Sequence, residues 1–471
     1  MRCLPALPVD RIPRSVRACV AAASLLWTPV ALAQTPPAPT PPPTPVAFEA
    51  ALLNAANALL SRANVEPGST RVPLVIDPLI DGNTGAQSTA TQLMERRIAE
   101  LIKASYGRFE VTPFTSEAVA RQPVVLIGTF TAVNNAGVAG GVRDAYRICL
   151  ALADLSTGRI VSKAATRALP AGIDPTPTSF FQDSPTFTKD PATEGYIKSC
   201  QGSRLGEPLE AAYAERIEVA VEVNRGIEAY NAKNYKLALD RFENASQMAG
   251  GRQLRVLNGI YLANRELGRR DGARQAFVRI VDYGLASERL AAKFLFNPNS
   301  AKFASAQAGG WEYGMWLQQI ASRTAEADKC LEVVGHTTAT GSVDGNERLS
   351  LQRAEYIQGR LQRVSGGGDR STRFAAKGVG ARELIVGTGM DDASDALDRR
   401  VEFKTTACAA PVADRKFDQP ARPVKADAPV RAKPKRQAAR SEMGVDSLPK
   451  GVEQQIRKYI GSGTLRQLLE D

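Results

Sequence analysis

The residues with the clearest binding chemistry lie between Leu331 and Leu361. A polar loop over Gly335–Gly345 is followed, within an amphipathic stretch, by Arg353. Its guanidinium group is a planar fork of donors that can hold a carboxylate through two hydrogen bonds. His336 is the only histidine of the chain. It has no Ser or Cys partner in the pattern, so we interpret it as structural rather than catalytic. These residues predict a site that binds a ligand and does not catalyse a reaction.

Regular elements are expected to hold this loop in place. The apolar run at Leu331, Val333 and Val334 predicts a strand. Asn346 is then expected to cap a helix whose apolar face repeats every three or four residues as far as Leu361. A second strand is predicted at the run Leu397-Asp398-Arg399-Arg400-Val401-Glu402-Phe403.

These motifs, taken in order, resemble the C-terminal domain of the OmpA family, the peptidoglycan-binding module of Gram-negative envelopes. The matching residues are Gly335-His336-Thr337, Gly341, Asn346-Glu347-Arg348-Leu349-Ser350, Arg353-Ala354 and Asp398-Arg399-Arg400-Val401-Glu402. The resemblance implies a module over residues 289–408 with the order β-α-β-α-β-β. It also implies that the module's ligand is the stem peptide of peptidoglycan.

The family's site implies specific roles for residues of this chain. In the family, an Asp after Gly-His-Thr binds the ammonium of the diamino acid, and the Arg before Ala binds its carboxylate. Arg353 matches, and we expect it on the loop-facing side of its helix with little core packing. Thr338 stands where the family has Asp, which predicts ammonium recognition weaker by about 1–2 kcal/mol. The implied peptidoglycan-binding residues are Thr338, Asn346 and Arg353, with Asp344 or Glu347 as possible compensating acids.

The cysteines fit an exported protein. Four remain after an N-terminal signal is removed, and their spacing is unlike that of a zinc site. The family's sheet makes the strands of Cys330 and Cys408 antiparallel neighbours, so the resemblance implies a disulfide between them. Cys200 is the remaining candidate partner of Cys149.

The N-terminal 33 residues have the pattern of a secretory signal peptide. Four arginines precede and border an apolar run, and Ala31-Leu32-Ala33 forms a small-residue cleavage site. The mature chain is therefore predicted to begin at Gln34. Residues 34–46 are rich in proline and predict an extended linker. No other stretch predicts a membrane span.

Residues 47–208 alternate apolar strands with amphipathic helices, which predicts an α/β domain. The apolar strand before Asp77, the strand end at Leu126-Ile127-Gly128-Thr129 and the hairpin turn from Asp154 to Gly158 resemble the periplasmic domain of LpoB-, FlgO- and CsgG-like envelope lipoproteins. Asp77, Asp81 and Asp154 could serve acid–base catalysis, but acids at strand ends are more typical of turns. Residues 165–208 are rich in Pro, Thr and Ser, and we expect them to be irregular.

Residues 209–288 predict paired helices. Ala238 and Phe242 recur as Ala273 and Phe277, close to the ~34-residue period of tetratricopeptide repeats, which the segment resembles. Two interpretations stay open. The pairs could form a groove for a partner protein, or they could be a helical spacer that packs on the next domain.

The positive charge is concentrated in the tail, residues 409–471. Residues 1–33 hold four Arg and one Asp, so without them the net charge falls from +11 to +8. Residues 411–440 hold nine basic residues against three Asp. The tail's Pro/Ala-rich basic composition predicts disorder, with a short helix near the C-terminus. Nucleic-acid binding would need a folded basic surface with interleaved aromatics, whereas this charge lies in a tail; the predicted export argues against it further.

The sequence therefore predicts an α+β multidomain protein of the periplasm, associated with the outer membrane or cell wall. We expect no enzymatic activity, cofactor or metal. The first hypothesis is an anchor that binds peptidoglycan and recruits envelope proteins through its repeat and α/β domains. The alternative is a protein-interaction scaffold whose OmpA-like module has lost wall binding.

Overall fold

The computed structural model describes residues 44–65, 71–134, 136–138, 143–187, 189–297, 299–303, 310–366, 373–387 and 397–408. These residues all belong to one compact unit of the chain. The predicted signal peptide, most of the Pro-rich linker and the basic tail lie outside the described residues. No helix among the described residues is long and apolar enough to cross a membrane.

The α/β domain is built on a mixed sheet, as the alternating pattern predicts. Its elements are α1 (Phe48–Ser61), β1 (Val72–Ile76), β2 (Ile80–Asp81), α2 (Thr89–Ser105), β3 (Phe109–Thr112), α3 (Ser116–Ala120), β4 (Val124–Val133), β5 (Ala145–Asp154) and β6 (Arg159–Ala168). The strand order is β3-β1-β4-β5-β6, and β2 pairs with β4. Strands β3, β1 and β4 are parallel, whereas β4, β5 and β6 form an antiparallel meander.

Both faces of this sheet are covered. Helices α1 and α2 pack on one face around Leu52, Ile98 and Phe130. The opposite face packs against helices that follow β6 in the chain. Helix α4 (Ser179–Asp183) packs on the last of these through Phe180, and the helices on the sheet are α5 (Pro191–Gln201), α6 (Ala211–Ala214) and α7 (Ile217–Asn231). All ten residues of β4 are buried, as expected for a central strand between two helical layers.

Helix α5 corrects the prediction that residues 165–208 are irregular. Asp190 caps the helix by accepting a hydrogen bond from the Thr193 amide at 2.9 Å, and Pro191 occupies the first helical position. Asp followed by Pro is a readable helix start, but it lies among residues that favour turns. Strand β6 also continues to Ala168, four residues into the segment predicted to be irregular.

The repeat segment forms the predicted helix pairs, α7 with α8 (Tyr235–Gln247) and α9 (Leu254–Glu266) with α10 (Arg270–Ala286). The fully buried ring of Phe242 lies between glycines of two neighbouring helices. A Cβ at Gly226 would come within 2.8 Å of that ring, and one at Gly259 within 2.4 Å. The helices therefore approach each other closely because these two positions lack side chains.

The C-terminal module has the predicted element order. It comprises β7 (Leu290–Ala292), α11 (Trp311–Glu326), β8 (Cys330–Gly335), α12 (Val343–Val364), β9 (Phe374–Gly378) and β10 (Val401–Thr406), with sheet order β7-β10-β8-β9. Strand β10 is antiparallel to β8, and Thr406 pairs with Cys330. The predicted disulfide between Cys330 and Cys408 is confirmed. It joins the first residue of β8 to a cysteine two residues beyond the end of β10.

The repeat segment and the module share one hydrophobic core. Trp316 of α11 stacks on Phe277 with ring centroids 5.2 Å apart. Its indole N–H donates to the Tyr261 hydroxyl at 2.9 Å. Helix α11 thus covers the last repeat pair, which is the packing expected of a spacer built against the next domain.

Candidate functional site

The candidate site lies where β8 ends and α12 begins, and two glycines bring these elements together. A Cβ at Gly335 would lie 1.9 Å from the Ser350 carbonyl oxygen. A Cβ at Gly378 in the neighbouring strand β9 would lie 2.5 Å from the Leu351 nitrogen. Both positions require glycine, because strand and helix backbones are in direct contact there. The loop from residue 336 to 342 consequently leaves the sheet directly beside α12.

The helix begins four residues earlier than the sequence predicted. Ser342, and not Asn346, is the N-cap, and its hydroxyl accepts a hydrogen bond from the Gly345 amide at 3.2 Å. Asn346 lies in the first turn of α12, where its side-chain amide donates to the Thr340 carbonyl at 3.0 Å. Asn346 therefore ties the loop to the helix.

Arg353 occupies the centre of the site and is only 1% exposed. Its Nε donates to the Ser300 carbonyl at 3.1 Å. Its two terminal nitrogens donate to the carbonyls of His336 and Asn297, each at 3.4 Å. The expectation that Arg353 carries little core packing is wrong. Its guanidinium joins three chain segments through these carbonyl oxygens.

The two candidate compensating acids, Asp344 and Glu347, differ in whether they already form an ion pair with a described residue. Thr338, which stands where the resemblance predicts an Asp, is 5% exposed and carries no charge. Glu347 forms an ion pair with Arg382. Asp344 is exposed in the first turn of α12 and enters no ion pair with a described residue. A carboxylate there also lies near the positive end of the helix dipole.

His336 is buried at the start of the loop, and its interpretation as structural stays a prediction. Its backbone N–H donates to the Arg400 carbonyl at 3.0 Å, which holds the loop to β10. The fully buried imidazole lies with Nε2 3.7 Å from Glu402 Oε2. Burial lowers the pKa of His336 and so favours the neutral ring. Burial raises the pKa of Glu402, but its His336 and Arg400 partners outweigh this and bring it to about 2.

One group of side chains has the composition of a metal site. Ligand atoms of His336, Glu383 and Glu402 lie within 4.8 Å of one another. Each carboxylate already has a cation, however. Arg400 donates to Glu402 at 2.7 Å, and Lys404 lies 3.6 Å from Glu383. Because these charges balance, a divalent cation would add uncompensated positive charge, and we assign no metal here.

Asp398 has a role that the motif did not reveal. Its carboxylate accepts hydrogen bonds from the amides of Ile385, Val386 and Gly387, at 2.6, 3.0 and 2.7 Å. Arg143 of the α/β domain holds the carbonyl side of the same segment, donating to Leu384 at 3.1 Å and also to Ile385 and Val386. No local pattern could have indicated this clamp, since its two halves lie more than 240 residues apart.

The three acids considered for catalysis occupy separate local settings. The carboxylate of Asp81 accepts the amides of Asn83 and Thr84 at 2.9 and 2.6 Å. Asp154 accepts the Ser156 amide at 2.8 Å, as turn residues do. Asp77 is buried and accepts the Tyr213 hydroxyl at 2.7 Å. Turn formation and packing account for all three.

Comparisons with known proteins find similarity in solved structures. The peptidoglycan-associated lipoprotein of Burkholderia pseudomallei is 24% identical and has a TM-score of 0.21, with 26% of this chain and 92% of that chain covered. The cell wall anchor of the T6SS from Pseudomonas aeruginosa is 21% identical with a TM-score of 0.21, covering 28% and 97%. The OmpA-like domain of FopA1 from Francisella tularensis is 20% identical with a TM-score of 0.19, covering 24% and 68%.

No protein-family model and no curated protein matches the chain. At the identities and TM-scores of the solved structures, similarity adds no argument about function. What the chain does has to be argued from its own residues.

Proposed function

We propose that this chain is a non-enzymatic protein of the cell envelope that binds the stem peptide of peptidoglycan through residues 289–408. One observation carries the proposal: the separated motif residues meet at a single loop–helix junction. Thr338 is in the loop, Asn346 ties that loop to α12, and Arg353 lies with its guanidinium against the His336 carbonyl. On this proposal the exported protein is held at the wall, where its repeat and α/β domains recruit envelope proteins.

Arg353 supplies the cationic half of the site. Its three described hydrogen bonds, at 3.1 to 3.4 Å, go to neutral carbonyl oxygens. A carboxylate forms shorter and roughly twofold stronger bonds with a guanidinium than a neutral acceptor does. The carboxylate of the diamino acid therefore has an energetic reason to replace one or two of these carbonyls, provided that the loop around His336 or Ser300 moves with it.

Asp344 is our candidate for the anionic half. Thr338 contributes no charge, and Glu347 is already paired with Arg382. Asp344 is exposed beside the same loop, and binding an ammonium there would cost it no existing ion pair with a described residue. Because an exposed carboxylate is screened by water, we expect Asp344 to replace the family's Asp only in part.

Sedimentation of the mature protein with isolated sacculi tests the proposal. We expect wild type to bind, Asp344→Asn to bind more weakly, and Thr338→Asp to bind about 5–30-fold more tightly, which corresponds to 1–2 kcal/mol. Glu347→Gln is the matched control, since this acid is engaged by Arg382. Thermal unfolding of each variant separates loss of binding from loss of fold.

The alternative, a scaffold without wall binding, is favoured by one feature of the site. The described hydrogen bonds of the Arg353 guanidinium go to the protein's own carbonyls, and the family's acidic position is neutral. If wild type sediments only at background level and Thr338→Asp brings no gain, the wall-binding proposal is refuted and the scaffold is the better account.

A further inference from the structure

A second pair of cysteines lies across the α/β domain, between the sheet and the helix that covers it. Cys149 is in the middle of β5 and Cys200 is near the end of α5, and both side chains are buried. Their sulfur atoms lie 2.7 Å apart. The Cys149 sulfur is also 2.8 Å from the Cys200 carbonyl oxygen. The candidate pairing of Cys200 with Cys149 therefore places two sulfurs in direct contact.

This contact is too close for two free thiols. Non-bonded heavy atoms reach their best separation at roughly 3.5–4.0 Å, and closer approach is repulsive. A disulfide bond, by contrast, brings two sulfurs to about 2.0 Å. Reduced thiols would have to move apart, whereas a bonded pair needs a small shift in the opposite direction.

Neighbouring hydrogen bonds oppose such a separation. One turn before Cys200, the Tyr196 hydroxyl accepts the Gly128 amide of β4 at 2.9 Å. Directly after Cys200, the Gln201 side chain donates to the hydroxyls of Thr129 and Thr131, each at 3.0 Å. Helix α5 is thus fixed to the sheet on both sides of the cysteine, and moving it away would break these buried and partly buried hydrogen bonds.

We propose that Cys149 and Cys200 form a second disulfide, made before α5 packs on the sheet by exchange with a disulfide donor. A thiolate of one cysteine attacks a donor sulfur, and the other cysteine then displaces the donor from the mixed disulfide. One Sγ–Sγ bond forms and the donor's S–S bond breaks, and the two thiol protons and two electrons pass to the donor, which leaves as a dithiol. Cys200 is fully buried and Cys149 is 4% exposed, so a donor has no access once the domain has folded.

This inference rests on the predicted export, because a disulfide donor acts in oxidising compartments. It is independent of wall binding. The disulfide between Cys330 and Cys408 is an internal reference for donor access, because Cys408 is exposed at the surface of the module. The two pairs are expected to differ in access, and not in final state.

Peptide mapping of the full mature chain, exported, unfolded in iodoacetamide and digested without reductant, tests the bond. We expect a cross-linked peptide containing Cys149 and Cys200. Alkylated thiols at both positions, whatever the state of Cys330 and Cys408, would overturn the proposal.

The order of events is tested on chain that has been folded in its reduced form. Oxidised glutathione should join Cys330 to Cys408 under native conditions, but should join Cys149 to Cys200 only when urea is present. Equal rates for both pairs without urea would show that the bond does not have to precede packing. Cys149→Ala/Cys200→Ala, treated in parallel, identifies the peptide that must disappear.

Discussion

The guanidinium of Arg353 is a structural group as well as a candidate ligand. We predict that Arg353→Ala lowers the free energy of unfolding by about 2–4 kcal/mol, because it leaves buried carbonyls without a donor. Arg348→Ala, at an exposed position of the same helix, is the control and should change stability little. Urea unfolding of the two variants measures the difference. Similar values would mean that the Arg353 contacts contribute little to folding.

A second residue-scale prediction concerns pH. Burial, with the charges of Asp77 and Glu228, raises the pKa of Glu95 to about 8, although the Leu79 amide that donates to it at 2.7 Å opposes the shift. Burial likewise raises the pKa of Asp77 to about 6, against the Tyr213 hydroxyl. The folded chain thus holds protons that the unfolded chain releases above pH ~4.3.

The sign follows from that difference. The stability contributed by Glu95 is complete below pH ~4.5 and is lost as pH rises towards 8, by up to about 1.4 kcal/mol per pH unit. Glu95→Gln keeps an acceptor for Leu79 but does not titrate, so stability between pH 6 and 8 should become flatter. Glu100→Gln, an exposed partner of Arg97, should leave the slope unchanged. An unaltered slope in Glu95→Gln would contradict the prediction.

At the scale of elements, helix α11 completes the repeat segment. Trp316 is 5% exposed and stacks on Phe277, so Trp316→Ala should cost about 3–5 kcal/mol of unfolding free energy. Tyr261→Phe removes only the hydrogen bond to the indole and should cost about 1 kcal/mol. Trp311→Ala, at a partly buried position on the same helix, is the control. A loss in Trp311→Ala as large as in Trp316→Ala would argue against this packing.

The sequence pattern predicts most of the helices and strands, but it does not predict the contacts between them. Apolar runs such as Val124–Ile127, and the recurrence of Ala and Phe, indicate which residues must be buried. This prediction needs only the short-range pattern of the sequence. The predicted start of α12 is wrong because Ser342 and Asn346 are both good N-caps, and the sequence pattern does not select between them. The burial of Arg353 depends on the Ser300 and His336 carbonyls, which come from other parts of the chain.

At the scale of the whole described unit, Arg143 links the first domain to the last. Its guanidinium donates to carbonyls of Leu384, Ile385 and Val386, whose opposite side is held by Asp398. A further link joins the first domain to the repeats, where Asp190 accepts the Leu254 amide at 2.9 Å. The module and the repeats already share a core around Trp316. These connections predict that the described domains unfold together.

Arg143→Ala should uncouple the unfolding of the α/β domain from that of the repeat segment and the module. In the mature chain both remaining tryptophans, Trp311 and Trp316, lie in α11, so fluorescence reports the repeat–module core while far-UV circular dichroism reports all domains. We expect the two urea transitions to coincide in wild type and to diverge in Arg143→Ala, because the α/β domain loses its bonds to the segment around Ile385.

Arg147→Ala is the matched control. Its guanidinium donates to Gln201 at 2.6 Å, within the α/β domain, so its loss should lower stability without removing the link to the module. Coincident transitions in Arg143→Ala would show that the shared core, the packing of α7 on the sheet and Asp190 suffice to couple the domains.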